Sequence, residues 1–156
     1  MTRIHAIAAV LLAAVNLAGC GPSFDMQVPD SFVELDEDSD AYAMRATSAD
    51  GIVVAVREVD NDPTGNLEFW VEAIRNRVRR LGAYALIEEK KVTAASGQKG
   101  LEMRFGRDED GVSYLYWLTV YVTDSHVYVI EAGGKKDRFE DVQSEVESTL
   151  AGFSIG

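Results

Sequence analysis

Few side chains in this sequence could do covalent or metal chemistry. Its 156 residues hold one cysteine, Cys20, and two histidines, His5 and His126. Nucleophilic catalysis needs a base beside the nucleophile and a third group to orient that base. No Ser/His/Asp or Cys/His set can be assembled from this inventory. HExxH, CxxC and the phosphate-cradling glycine loop are absent. "AGGKK", Ala132 to Lys136, lacks P-loop spacing and reads as a strand-to-helix turn. "DEDSD" (Asp36 to Asp40) and "RDEDG" (Arg107 to Gly111) offer oxygen ligands, but neither has the twelve-residue calcium-loop pattern, and both read as solvated hairpin tips. His126 falls in a predicted turn, where a lone imidazole is solvated. "RNRVRR", Arg75 to Arg80, resembles an anion patch, yet Arg75 can pair with Glu72 one turn back. Arg77 lies at the edge of an apolar arc, where its stem can snorkel. The sequence predicts no catalytic residue, no metal and no cofactor.

Cys20 has a different setting. Arg3 supplies a positive start, "IAAVLLAAV" a short apolar middle and "LAGC" a small-residue end, the parts of a secretory signal. The apolar run falls short of the roughly 20 residues that span a bilayer. "LAGC", Leu17 to Cys20, resembles the lipobox of bacterial lipoproteins. That resemblance implies cleavage after Gly19 and acylation of Cys20, hence an anchor in the lipid bilayer. Each buried CH₂ contributes about 0.8 kcal/mol, and two or three chains hold nearly permanently. Position 21 is Gly rather than the aspartate that retains Gram-negative lipoproteins at the inner membrane, which points to the periplasmic face of the outer membrane if the source is Gram-negative. The chain divides into a signal peptide (1–19), a lipidated cysteine with the short tether "GPSFDMQVPD" (20–30) and one α+β domain (31–156).

Charge narrows the partners. The whole chain carries −11, and removing residues 1–19, with one Arg and no acid, leaves −12. Nucleic acid is excluded as a partner, and flat adhesion to anionic lipid is disfavoured. Without an internal disulfide, the apolar core must supply the stability.

The elements that would position any site follow from periodicity. "SFVEL", "AYAMRATS" and "GIVVAVREV" read as strands, the last two joined at Asp50-Gly51, a strong hairpin signal. Asn66 caps a helix over Asn66–Leu81, with Leu67, Trp70, Val71, Ile74, Val78 and Leu81 on one arc and Gly82 as its stop. "YALIEEKKV", "GLEMRFG", "VSYLYWLTVYVT" and "VYVIEAG" read as four more strands. Val112–Thr123 is apolar on both faces, so it needs cover on each side. A second helix runs from about Lys136 to Ala151, with Phe139, Val142, Val146 and Leu150 inward.

Three strands, a helix, four strands and a helix, with "FW..AI...V" on the first helix and "GFSI" after the last, resemble the PsbP-like superfamily. This superfamily includes the DcrB periplasmic lipoproteins and adaptor chaperones of secretion effectors. The resemblance implies an α+β fold, a three-layer α/β/α sandwich with a central, mostly antiparallel sheet and two main helices. It brings no catalytic motif. The favoured reading is a membrane-anchored, non-catalytic envelope lipoprotein that binds an envelope or membrane protein or assists assembly. The alternative is a carrier or sensor of an apolar small molecule. A cavity of a few hundred Å³ would favour the alternative. Phe69, off the helix's apolar arc, and Arg80 are the candidate partner contacts.

Overall fold

The computed structural model describes residues 21–36 and 41–156. The segment expected to be a signal peptide, Cys20 and residues 37–40 lie outside them. In chain order the elements are β1 (Phe24–Asp25), β2 (Phe32–Glu34), β3 (Met44–Ser48), β4 (Val53–Asp60), α1 (Leu67–Gly82), β5 (Ala85–Thr93), β6 (Lys99–Glu109), β7 (Val112–Val122), β8 (His126–Lys135), α2 (Lys136–Asp141), α3 (Gln143–Gly152) and β9 (Ser154–Ile155). The fold is α+β.

Seven strands form one sheet in the order β2-β3-β4-β8-β7-β6-β5, and every pairing in it is antiparallel. Turn chemistry sets the hairpins. Gly51 takes φ +82° between β3 and β4, and Asp110 and Gly111 take +52° and +78° between β6 and β7. Two successive left-handed residues match the twist of the flanking strands. β4 pairs with β8 from Val53↔Gly133 to Asp60↔His126, which merges the early hairpin with the later meander.

The two apolar faces of β7 are each covered. Leu118 and Val120 are buried with Met103, Phe105, Val127 and Val71 of α1. Trp117 and Tyr121 are buried on the other face with Val54, Val56, Tyr128, Ile130, Phe139, Val146 and Leu150.

Four local expectations change. The second helix is broken: Val142, at φ −114° and ψ 10°, separates α2 from α3. The break lets Phe139 pack edge-on against Trp117 at 4.7 Å while Val146 and Leu150 still face the core. Gly82 does not stop α1 by its backbone; Ala83 takes the left-handed conformation. Gly82 instead makes room, since a Cβ there would lie 2.7 Å from the Tyr84 ring. His126 opens β8 rather than sitting in a turn. Finally, part of the expected tether is structure. Phe24–Asp25 pairs with Ser154–Ile155, and Phe24 stacks on Phe153 at 5.6 Å. Among the described residues, Ser23 to Asp25 are therefore already part of the packed fold, ahead of the expected start at residue 31. Both strands are two residues long, too short for any periodicity to announce them.

Candidate binding groove beside the first helix

The position of α1 creates the site. Asn66 Oδ1 accepts the Phe69 amide at 2.9 Å and starts the helix. Asn61 then fixes it to the sheet. Its Nδ2 donates to the carbonyls of Gly65 (3.0 Å) and Thr123 (2.9 Å), and its Oδ1 accepts the Gly65 amide (2.8 Å) and Trp70 Nε1 (2.7 Å). Arg75 bonds Glu72, as its spacing predicts, and also Glu89 on β5. So held, α1 lies over β6 and β7. The same faces of β4 and β8 are left uncovered, and a groove of about 650 Å³ opens beside the helix.

One wall of the groove is Trp70, Ile74, Val78 and Leu81; the opposite side and floor are Val59, Val127, Val129 and Leu118. This explains why the apolar arc of α1 is only half used: Val71 is buried, but Leu81 is 75 % exposed and Val59 on the far rim 46 %. Polar groups gather at the end away from Trp70. Arg57 Nε donates to Glu131 Oε1 at 2.5 Å and its Nη2 to the Tyr42 hydroxyl at 2.5 Å, with the guanidinium 3.9 Å from the Tyr42 ring centre. The Tyr116 hydroxyl donates to Glu131 Oε2 at 2.9 Å. Arg57 and Tyr116 both reach Glu131 diagonally across the sheet, from β4 and β7. Burial opposes the Arg57 charge, but Glu131 outweighs it and raises the Arg57 pKa. Burial, reinforced by the Glu131 charge, pushes the Tyr116 phenol far above its ordinary value. These groups satisfy one another and form a rigid polar cluster at that end of the groove.

The candidate contacts from the sequence lie apart. Phe69 is half-exposed at the start of α1, edge-on to Trp70 at 5.3 Å. It covers Gly65, where a Cβ would fall 2.3 Å from its ring, so it packs on the loop before the helix. Arg80 is exposed three turns further on, about 16 Å along the axis at 1.5 Å per residue. The two do not form one contact. Cys20 lies outside the described residues.

Sequence reasoning missed a cluster on the opposite sheet face. Ser23 donates to Glu58 through its hydroxyl (2.5 Å) and its amide (3.2 Å), and its Oγ also bonds the Tyr128 hydroxyl. His126 Nε2 is 3.9 Å from both Glu58 and Asp60, and its Nδ1 is 2.9 Å from Ser125 Oγ. The residue types are those of a hydrolase, but the connections are not. The Ser23 hydroxyl faces a carboxylate rather than the imidazole, and the imidazole–carboxylate gap exceeds a hydrogen bond. The cluster clamps the N-terminal strand. A contact 105 residues apart leaves no local signal.

No protein-family model and no curated protein matches the chain. Solved structures do, and they define a PsbP-like fold. The structure of LpqN from Mycobacterium tuberculosis, a protein involved in cell envelope biogenesis, matches with a TM-score of 0.68 at 14% identity, covering 89% of this chain and 87% of that one. The cyanobacterial PsbP protein of Synechocystis matches with a TM-score of 0.58 at 13% identity over 93% and 99%. A Bacteroides thetaiotaomicron protein matches at 0.53 and 16% identity over 86% of this chain and 45% of its own. At these identities the likeness is one of fold.

Proposed function

We propose that this chain is a lipid-anchored, non-catalytic binding domain of the bacterial cell envelope, and that the groove beside α1 takes the apolar part of a small amphiphilic ligand. The groove carries this reading: about 650 Å³, mostly apolar, with Arg77 on the helix side and Arg57, Tyr116 and Glu131 at one end, it has the size and lining of small-molecule sites. The likeness to LpqN supports the envelope setting, and cores on both sheet faces support a three-layer α/β/α sandwich. Among the described residues no helix is long and apolar enough to cross a membrane.

The anchor gives the groove a direction. Only Gly21 and Pro22 separate Cys20 from Ser23, a reach of about 10 Å at 3.3–3.6 Å per residue. Ser23 is held at the end of the sheet where β4 finishes and β8 and α1 begin. With Cys20 acylated, that end faces the bilayer. Trp70, Val59 and Val127 are at the same end, so the apolar mouth faces lipid and the Arg57–Glu131 end faces away. The outer membrane is the favoured location in a Gram-negative cell.

A protein partner is the second reading. The observation favouring it is the exposed rim, Leu81 and Val59, which a ligand lying in the trough leaves in water. A titration of the purified chain with the apolar fluorophore N-phenyl-1-naphthylamine separates the two. Saturable enhancement that is lost in Ile74→Asp, on the groove wall, and kept in the rim variant Val59→Asp/Leu81→Asp supports the ligand reading. No enhancement in wild type, with recovery of a crosslinked envelope protein that the rim variant loses, replaces it with the partner reading.

A further inference from the structure

Glu102 alternates with the apolar residues Leu101 and Met103 on β6, yet it is itself 4 % exposed. It lies on the sheet face opposite the groove, between Lys90 of β5 and Thr119 of β7. The helices on this face cover its centre and leave a recess over β5, β6 and β7, roofed by Glu147 and Leu150 of α3, with a volume of about 350 Å³. Burying a carboxylate requires partners. Lys90 Nζ (3.1 Å) and Arg104 Nε (2.6 Å) both address its Oε1. Among the described residues Oε2 accepts no hydrogen bond. Beside it, Thr119 is 2 % exposed and its buried hydroxyl has no partner. An unmade hydrogen bond of this kind costs about 1–3 kcal/mol, and native structures keep few of them.

We propose that this recess is a second binding site, for a small neutral polyhydroxylated molecule about the size of one sugar ring. Charge selects the class. An anion meets Glu102 and, on the roof, Glu147; a cation meets Lys90 and Arg104. A neutral hydroxyl donates to Glu102 Oε2 and both donates to and accepts from the hydroxyls of Thr119 and Tyr121. Burial and the Glu102 charge push the Tyr121 phenol up to about 12, so it stays a donor at neutral pH. Leu150 gives the carbon face of a ring an apolar contact. The volume is near the lower end of ligand sites, roughly 300 Å³, which suits a single ring and excludes a long-chain amphiphile. Because the recess and the α1 groove are on opposite faces, either can fail without the other.

The test is saturation-transfer NMR on the purified full chain with D-glucose and myo-inositol as neutral probes, and with inorganic phosphate added as a charged competitor whose affinity is read from the displacement of the neutral probe. Transfer to a neutral probe is expected, with the dissociation constant raised at least tenfold in Thr119→Val. That variant removes only the unpartnered hydroxyl, so its unfolding temperature should hold or rise while binding is lost. Three results overturn the proposal: no transfer to either neutral probe, tighter binding of phosphate, or undiminished affinity in Thr119→Val. A Thr119→Val chain that melts earlier with probe binding unchanged assigns the hydroxyl to an internal water and likewise overturns it.

Discussion

Trp70 Nε1 donates to Asn61 Oδ1 at 2.7 Å, and Asn61 Nδ2 donates in turn to the Thr123 carbonyl, so the pair ties the first helix to the turn between β7 and β8. Asn61 is 7 % exposed, and its side chain uses every hydrogen bond it makes inside the fold. Asn61→Ala leaves the Trp70 indole and the Thr123 carbonyl unpaired, at about 1–3 kcal/mol for an unsatisfied buried group. Urea unfolding should show that loss. Asn61→Asp keeps the acceptor for Trp70 and Gly65, so it should retain more of the stability than Asn61→Ala.

Gly100 is the place where β6 cannot take a side chain. A Cβ there would lie 2.4 Å from the Tyr121 ring and 2.6 Å from the Val120 carbonyl oxygen. Gly100→Ala should destabilise by about 1–3 kcal/mol through overpacking. Thermal unfolding of Gly100→Ala beside Gly97→Ala would show whether space is the cause, because a Cβ at Gly97 meets nothing and the left-handed φ of +92° alone must account for any loss there.

Much of the scaffold is legible in the sequence because it repeats. Alternation marks β6, the two-faced run marks β7, Asp50-Gly51 and Asp110-Gly111 mark turns, and Asn66 marks the helix start. The pairing of β4 with β8 is not legible, since sixty-odd residues intervene, and neither is the two-residue β1–β9 ladder. The groove is half legible. Leu81 belongs to the apolar arc of α1, but nothing local says that the sheet beneath it is unroofed. Phe69 stands out on the helical wheel, while its cover over Gly65 depends on the loop's path. The burial of Glu102 is not legible, because it depends on where the helix above it lies.

Tyr116 and Tyr121 make the fold sensitive to alkali. Burial holds the Tyr121 phenol at about 12, and Tyr116 is raised further by burial and Glu131. The unfolded chain loses those protons from about pH 10. A raised folded-state pKa means that this stability is intact below pH 10 and falls as pH climbs through the folded value. Absorbance at 295 nm should show a phase, from Tyr116 and Tyr121, that resists ionisation until the fold melts. Tyr116→Phe should lessen the alkaline loss while forfeiting the bond to Glu131. A titration in which all six tyrosines ionise together near pH 10 with the fold intact would contradict this.

Replacing the lone thiol tests the anchor. Cys20→Ser should move the chain from the membrane pellet to the soluble fraction of lysed cells. Equal retention of mutant and wild type in the pellet after a carbonate wash would mean that Cys20 does not carry the attachment.

The central claim is that the groove holds an amphiphile with its apolar tail at the Trp70 end and its polar end toward Arg57 and Glu131. The chain has two tryptophans, so Trp117→Phe leaves Trp70 as the sole indole reporter. Titrating that variant with 12-bromododecanoic acid and with 2-bromododecanoic acid places a contact quencher at either end of the same ligand. The account predicts saturable quenching that is several-fold stronger for the 12-bromo isomer. Equal, unsaturable quenching by both isomers would contradict it.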